Sequence, residues 1–244
     1  NLMDYIDDNP ERLREAVTQY EKTTAENYLR YAGRALLVAY YPFLVTEQQV
    51  QFLKNTAEAV IRLMEKITNL FLHEPRMREQ FNFSRQQLEL IEVDPGYRRA
   101  IPCARFDSFY NGKSLRFSEL NTDGSSGMDG ADRIGKIYLT SPVAGDFFAQ
   151  RPVRLFEINA CVLEALLSCY REFSGTAGAS KPRIAIVDWK EVRTAQEFFG
   201  FAEFCQKQGY DTVVADPREL EYNGRGLSFG RKKIDIVYRR VVSR

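Results

Sequence analysis

Between Ala104 and Gly127 the chain reads ARFDSFYNGKSLRFSELNTDGSSG. Arg105 and Asp107 stand two apart on one run of β-favouring residues, and Glu119 and Asn121 stand two apart on the next. Successive strand side chains point to opposite faces, so each of these pairs shares a face. Two carboxylates and an amide oxygen, without histidine or thiolate, suit Mg2+, which keeps several waters and shares its shell with substrate phosphates. A metal held this way needs ATP or a similar partner. Arg105 would then meet negative charge on a transferring phosphoryl group or a tetrahedral intermediate. The same four residues also read as an exposed sheet face with a cross-strand Arg105–Glu119 ion pair, worth under about 1 kcal/mol in solvent.

Convergence of the four depends on the turn. Tyr110-Asn111-Gly112-Lys113 is a hairpin signal between the two runs. A two-residue loop pairs Tyr110 with Lys113, sets Asp107 opposite Arg116, and puts Asp107 and Glu119 on opposite faces. A three-residue loop pairs Tyr110 with Ser114 and sets Arg105 opposite Glu119. The expectation is this second register, or a bulge with the same effect. Beyond the second strand, Gly124, Gly127 and Gly130 allow the backbone to approach a substrate or phosphate closely, and they read equally as a mobile loop. A second Glu-x-Asn, Glu157 and Asn159, falls in a helical pattern. Residues two apart on a helix diverge by roughly 200°, so those two are not a metal pair.

The elements that must carry the hairpin fall into three segments. Residues 1–95 read as helical: Asn9-Pro10 opens one helix, Thr46 with Gln49 forms a capping box before Val50, Leu53, Ala57, Val60, Ile61, Met64 and Ile67, and Ser84 caps a shorter helix. The apolar stripes read as core packing. Residues 96–175 hold the hairpin, the glycine-rich loop and a helix through Leu155, Ile158, Val162, Leu166 and Tyr170. Gly175 to Lys181 reads as a linker. Residues 181–244 read as a parallel, Rossmann-like α/β unit, with strands at Arg183–Val187, Asp211–Val214 and Ile234–Tyr238, and a helix capped by Thr194 and Glu197 that ends at Gly209. No GxGxxG opens that helix, so no dinucleotide site is expected. Ligands of such sheets lie beyond the carboxyl ends of the strands, here Asp188 to Arg193, which also reads as a solvated charged loop. The fold class expected is therefore mixed α and β.

Composition narrows the function classes. Of 244 residues 44% are hydrophobic and 13% aromatic, enough for a packed core. Lys plus Arg at 34 balance Asp plus Glu at 33, so the total charge argues for neither a nucleic-acid nor a membrane partner. The chain has no apolar run of membrane-spanning length and no signal-peptide pattern at Asn1, and it is expected in the cytoplasm. Cys103, Cys161, Cys169 and Cys205 include no CxxC pair and read as reduced core thiols. The one histidine, His73, reads as the last residue of a helix. A serine–histidine triad or a multi-histidine metal site is excluded on those counts.

The hairpin Arg-x-Asp and Glu-x-Asn followed by DGSSG resembles the magnesium-binding strands of ATP-grasp carboxylate–amine ligases. Its position before the Rossmann-like unit resembles the circularly permuted ATP-grasp family, whose members include glutathionylspermidine synthetase and eukaryotic glutathione synthetase. EPRMREQFNF, LIEVDPGY, RIAIVDWKEV, DPRELEY and IDIVYRR extend the likeness over the chain from about Pro75. The resemblance implies that Asp107, Glu119 and Asn121 hold magnesium bridging ATP phosphates, that Arg105 contacts the acyl-phosphate or tetrahedral intermediate, and that Gly124 and Gly127 lie against the cofactor. It implies ATP-dependent amide formation between small-molecule or peptide carboxylates and amines. It also implies that the lysines and glycine-rich loop completing the ATP site follow the Rossmann-like unit, so this chain is expected to be an N-terminal fragment with an incomplete ATP site. Two alternatives stand beside the ligase: a non-catalytic ligand- or peptide-binding domain on the same scaffold, and a helical interaction module.

Overall fold

The computed structural model describes residues 2–26, 28–39, 42–175 and 181–242. In chain order the elements are α1 (Leu2–Asp7), α2 (Pro10–Glu26), β1 (Arg30–Tyr31), β2 (Arg34–Ala35), α3 (Glu47–His73), α4 (Pro75–Arg78), α5 (Arg85–Ile91), β3 (Arg105–Tyr110), β4 (Leu115–Asn121), α6 (Met128–Thr140), α7 (Pro142–Ala149), α8 (Ile158–Ser174), β5 (Ile184–Val187), α9 (Ala195–Lys207), β6 (Thr212–Ala215), β7 (Leu220–Tyr222), β8 (Leu227–Phe229), β9 (Lys232–Ile234) and β10 (Ile236–Arg239). The fold is mixed α and β with several small sheets. Among the described residues no helix is long and apolar enough to cross a membrane.

The chain divides into two compact units that cut across the three expected segments. The first joins Asn1–Leu44, Ser126–Leu163 and Ser180–Arg244, and the second joins Val45–Ser125 and Glu164–Ala179. The expected 1–95, 96–175 and 181–244 boundaries follow local composition, whereas the units follow contacts between distant stretches. The linker expected at Gly175–Lys181 has residues 176–180 outside the described residues.

In the first unit, β10, β5 and β6 form a parallel sheet with β5 in the centre and α9 crossing from β5 to β6. All four β5 residues, Ile184–Val187, are buried. A strand covered on both faces reads as an unbroken apolar run, which is why RIAIV is not alternating. Phe198, Phe201, Ala202 and Cys205 form the buried face of α9. Where IDIVY was expected as one strand, Ile234 ends β9 of an antiparallel β7–β8–β9 meander, and Asp235 separates it from β10. Ala185, Val187 and Ile234 pack with Val213, Leu220, Leu227 and Phe229. A separate core joins Leu2, Ile6 and Ala16 of α1 and α2 to Ala144, Phe147 and Phe148 of α7.

The second unit holds the β3–β4 hairpin and α3, α4 and α5. Both expected capping boxes are present: Thr46 and Gln49 bond reciprocally at the start of α3, and Ser84 and Gln87 at the start of α5. His73 ends α3, with Nδ1 2.8 Å from Asn69 O. The expected stripe Val50, Leu53, Ala57, Val60, Ile61, Met64 and Ile67 is half-buried, and Phe71 is the buried residue of α3. Phe71 meets Phe81 and Phe83 edge-on at 5.2 and 5.6 Å. The cysteines are free thiols, but only Cys205 is buried and Cys161 is exposed, so the core-thiol expectation holds for Cys205 alone. Burial pushes the Cys205 thiol up to about 12.

Candidate functional site

The hairpin turn takes four residues. Asn111 Oδ1 accepts from Lys113 N at 3.0 Å and Ser114 N at 2.8 Å, and Tyr110 pairs with Leu115. This replaces the expected Tyr110–Ser114 pairing, because the Asn111 side chain satisfies two turn donors and lengthens the loop by one residue. Continued unbroken, that register would place Asp107 opposite Ser118 and leave Glu119 on the other face. A bulge at Ser118 restores the parity: Ser108 pairs with Phe117, whereas Asp107 pairs with Glu119 and Arg105 with Asn121. Ser118 Oγ donates to Asp107 O at 2.9 Å, tying the extra residue to the facing strand.

Arg105, Asp107, Glu119 and Asn121 therefore share one face. The expected Arg105–Glu119 opposition is replaced by Arg105–Asn121, two positions further along. Arg105 grips Asp107 with both prongs, Nε to Oδ1 at 2.7 Å and Nη2 to Oδ2 at 3.0 Å. With its amide turned to suit its neighbours, Asn121 accepts from Arg105 Nη2 at 3.1 Å and donates to Glu119 Oε1 at 3.2 Å. The hydrogen bonds from Arg105 hold the Asp107 carboxyl below the usual carboxylate range. Ser125 Oγ then donates to Asn121 O at 2.7 Å and fastens the chain where it leaves β4.

The donor set is two carboxylates and one amide oxygen. Among the described residues no three His, Cys, Asp or Glu side chains gather into a metal cage. A hard cation that brings its own waters and phosphate oxygens is compatible with two carboxylates and an amide, since each carboxylate oxygen carries a second lone pair. Asp107 would share its oxygens with Arg105 or give that partner up.

Gly124 and Gly127 both have positive φ, 65° and 96°, and sit in different units. A Cβ at Gly127 would touch nothing within 4 Å, so backbone conformation rather than close approach requires glycine there. Its N–H is engaged: Gly127 N and Met128 N donate to Glu197 Oε1 at 2.7 and 2.8 Å. Glu197 was expected to box with Thr194, but Thr194 makes no side-chain cap. The carboxylate caps α6 instead.

The first unit also holds a buried polar cluster that sequence reasoning did not gather. Asp129, 1% exposed, accepts from Arg133 Nε at 2.7 Å and from Asn159 Nδ2 at 2.9 Å. Burial holds Asp129 above the usual carboxylate range even with Arg133 and Asn159 opposing. Asp132 caps α8 by accepting from Ile158 N and Asn159 N at 2.8 and 2.9 Å. That helix begins at Ile158, so Leu155 and Glu157, expected within it, precede it. The one available signal was Asp129 and Arg133 at i and i+4.

Each parallel strand is followed directly by a buried charged residue: Asp188 after β5, Asp216 after β6 and Arg240 after β10, at 9, 2 and 4% exposure. The loop expected as ligand-facing or solvated is pinned. Lys190 N donates to Asp216 Oδ2 at 3.0 Å, Lys190 pairs with Glu219 at 2.5 Å, and Arg218 joins Asp216 to Glu191. Burial raises the Asp188 carboxyl above its ordinary range, and hydrogen bonds from Arg218 hold that of Asp216 well below. Compared with known protein families and curated proteins, the chain matches no family model and no curated sequence.

Proposed function

We propose that the hairpin face is the magnesium- and phosphate-holding part of an ATP-dependent carboxylate–amine ligase, the assignment implied by its resemblance to the permuted ATP-grasp family. The observation that supports it is the Ser118 bulge, which brings two carboxylates, an amide oxygen and a guanidinium onto one face. A bulge that re-aims side chains against the register of its own turn is a recurring feature of functional sites.

In this reading Asp107, Glu119 and Asn121 hold Mg2+, and Mg2+ with ATP supplies the phosphoryl group that activates a carboxylate for amine attack. Arg105 acts in two states. Without a cation, Arg105 neutralises Asp107 through two hydrogen bonds. With a cation neutralising Asp107, the paired donors of Arg105 would be free to meet the substrate anion, since a planar fork suits a carboxylate or phosphate. The protein supplies positioning and charge, which this chemistry chiefly requires. Gly124 keeps its proposed place beside the cofactor. Gly127, whose N–H is taken by Glu197, has no part in this reading.

A second reading, a non-catalytic ligand- or peptide-binding domain, is favoured by the closed network of Arg105, Asp107, Asn121 and Glu119, which satisfies itself without a ligand. Paramagnetic Mn2+ in the presence of ADP separates the two. The ligase reading expects selective broadening of the amide signals of residues 105–107 and 119–121. Its absence there, with broadening elsewhere or nowhere, favours the binding domain.

A further inference from the structure

Glu197 occupies a place built for a carboxylate. Its Oε1 takes two N–H groups at the start of α6, a 13-residue helix whose dipole favours an anion there, and its Oε2 lies 3.6 Å from Arg240 Nη2. Arg240 is buried under the rings of Phe198 and Tyr238, at 5.2 and 5.5 Å, and its Nη1 donates to Tyr238 Oη at 3.1 Å. Its Nε, however, is buried with no acceptor. Asn159, which lines the same recess, has its Oδ1 buried with no donor. Buried polar groups are seldom left unmatched, and an unmet donor and an unmet acceptor lining one recess call for a molecule that offers both. Met128, Asp129, Asn159, Glu197, Phe198 and Arg240 line this recess, which spans about 250 Å³ including open solvent, with about 10 Å³ of it admitting a whole water.

We propose that the recess binds the carboxylate of an amino acid or peptide C-terminus, and that Glu197 is its tethered stand-in. The Gly127 and Met128 amides and the Arg240 fork receive the ligand carboxylate after Glu197 swings out. Asn159 Oδ1 receives the N–H that an amino acid or peptide carries beside its carboxylate. Backbone donors joined to a buried arginine are a recurring way to capture a terminal carboxylate. Arg240 directly follows β10, at the carboxyl edge of the parallel sheet where ligands of such sheets lie. Only residues of the first unit take part, so the proposal stands apart from the hairpin reading.

The test follows the backbone amide signals of Gly127 and Met128 during titration of wild type and Glu197→Gln, at constant ionic strength, with glycine, acetate, glycinamide and chloride. Saturable shifts are expected with glycine and, more weakly, with acetate, and none with glycinamide or chloride. Glu197→Gln should bind glycine on the order of tenfold more tightly than wild type, because a tethered competitor lowers apparent affinity by the fraction of time it occupies the site. Failure of glycine and acetate to shift these amides in Glu197→Gln by about 0.1 M, the weak end of small-ligand affinity, overturns the site, as does an equal response to chloride. Equal affinity for glycine and acetate overturns the role given to Asn159. If Glu197→Gln does not fold, the wild-type titration decides on the same criteria.

Discussion

Asp107 faces Glu119 across the hairpin only because Ser118 bulges out of β4. Deleting Ser118 removes the extra residue and should leave a continuous ladder from the turn in which Asp107 still faces Glu119 and Arg105 still faces Asn121. The cross-strand Hα contact between residues 107 and 119 should therefore persist in NOE spectra, and selective Mn2+ broadening with it. Loss of both in the deletion variant shows that the shared face needs the bulge itself and not merely the parity it restores.

Glu119 is exposed, so Glu119→Gln should leave stability within about 0.5 kcal/mol of wild type. In a protein carrying the complete nucleotide site, the same change should reduce ATP-dependent turnover on the order of 100-fold or more, because the cation loses a charged ligand. Urea unfolding and a coupled ADP-release assay check the two halves separately. Unchanged turnover at saturating magnesium rules out the metal-holding role.

Gly200 gives opposite predictions from propensity and from packing. In the interior of α9, exchanging glycine for alanine should stabilise by about 0.5–1 kcal/mol on helix propensity alone. A Cβ at Gly200 would stand 2.0 Å from Asp129 Oδ2, however, and Asp129 is held from both sides by Arg133 and Asn159. Gly200→Ala is therefore expected to destabilise by about 1–3 kcal/mol in chemical denaturation, the range of overpacked cores. A stabilised variant would show that Asp129 can move.

Asp216 makes stability depend on acid. Its carboxyl is held far below its ordinary value by hydrogen bonds from the Arg218 side chain and then from the Arg218 and Lys190 N–H groups. A folded-state value below the unfolded one, about 3.9, means stabilisation that is present above pH 4 and is lost as pH falls further. Asp216→Asn should melt lower than wild type at pH 7, with the gap closing steadily between pH 4 and pH 2. A gap that stays constant over that interval assigns the effect to packing instead.

The polar face was legible because a period of two survives in the sequence however the strands pair. Its register was not, since it depends on two local events whose effects on parity cancel: the Asn111 side chain lengthens the turn, and Ser118 leaves the ladder. The capping boxes at Thr46 and Ser84 were readable because all their partners lie within one turn. The same pattern at Thr194 misled, because the N–H groups that claim Glu197 lie some 70 residues away. The central strand of the parallel sheet could be read from its unbroken apolar run. The charged residues at its edge could be seen but not their burial, which depends on which strands become neighbours. The division into two units depends wholly on such distant contacts.

That division sets a timetable for the chain as it is made. The helices α1 and α2 bury Leu2, Ile6 and Ala16 against Phe147 and Phe148, residues translated more than a hundred positions later. At about 5–20 residues per second, these helices leave the ribosome on the order of ten seconds before their partner exists. The contiguous stretch Val45–Ser125 of the other unit emerges within that interval, with its hairpin and capped helices encoded locally. The nascent chain should thus acquire the polar hairpin while α1 and α2 still lack the α7 residues that cover them, a state open to capture by chaperones.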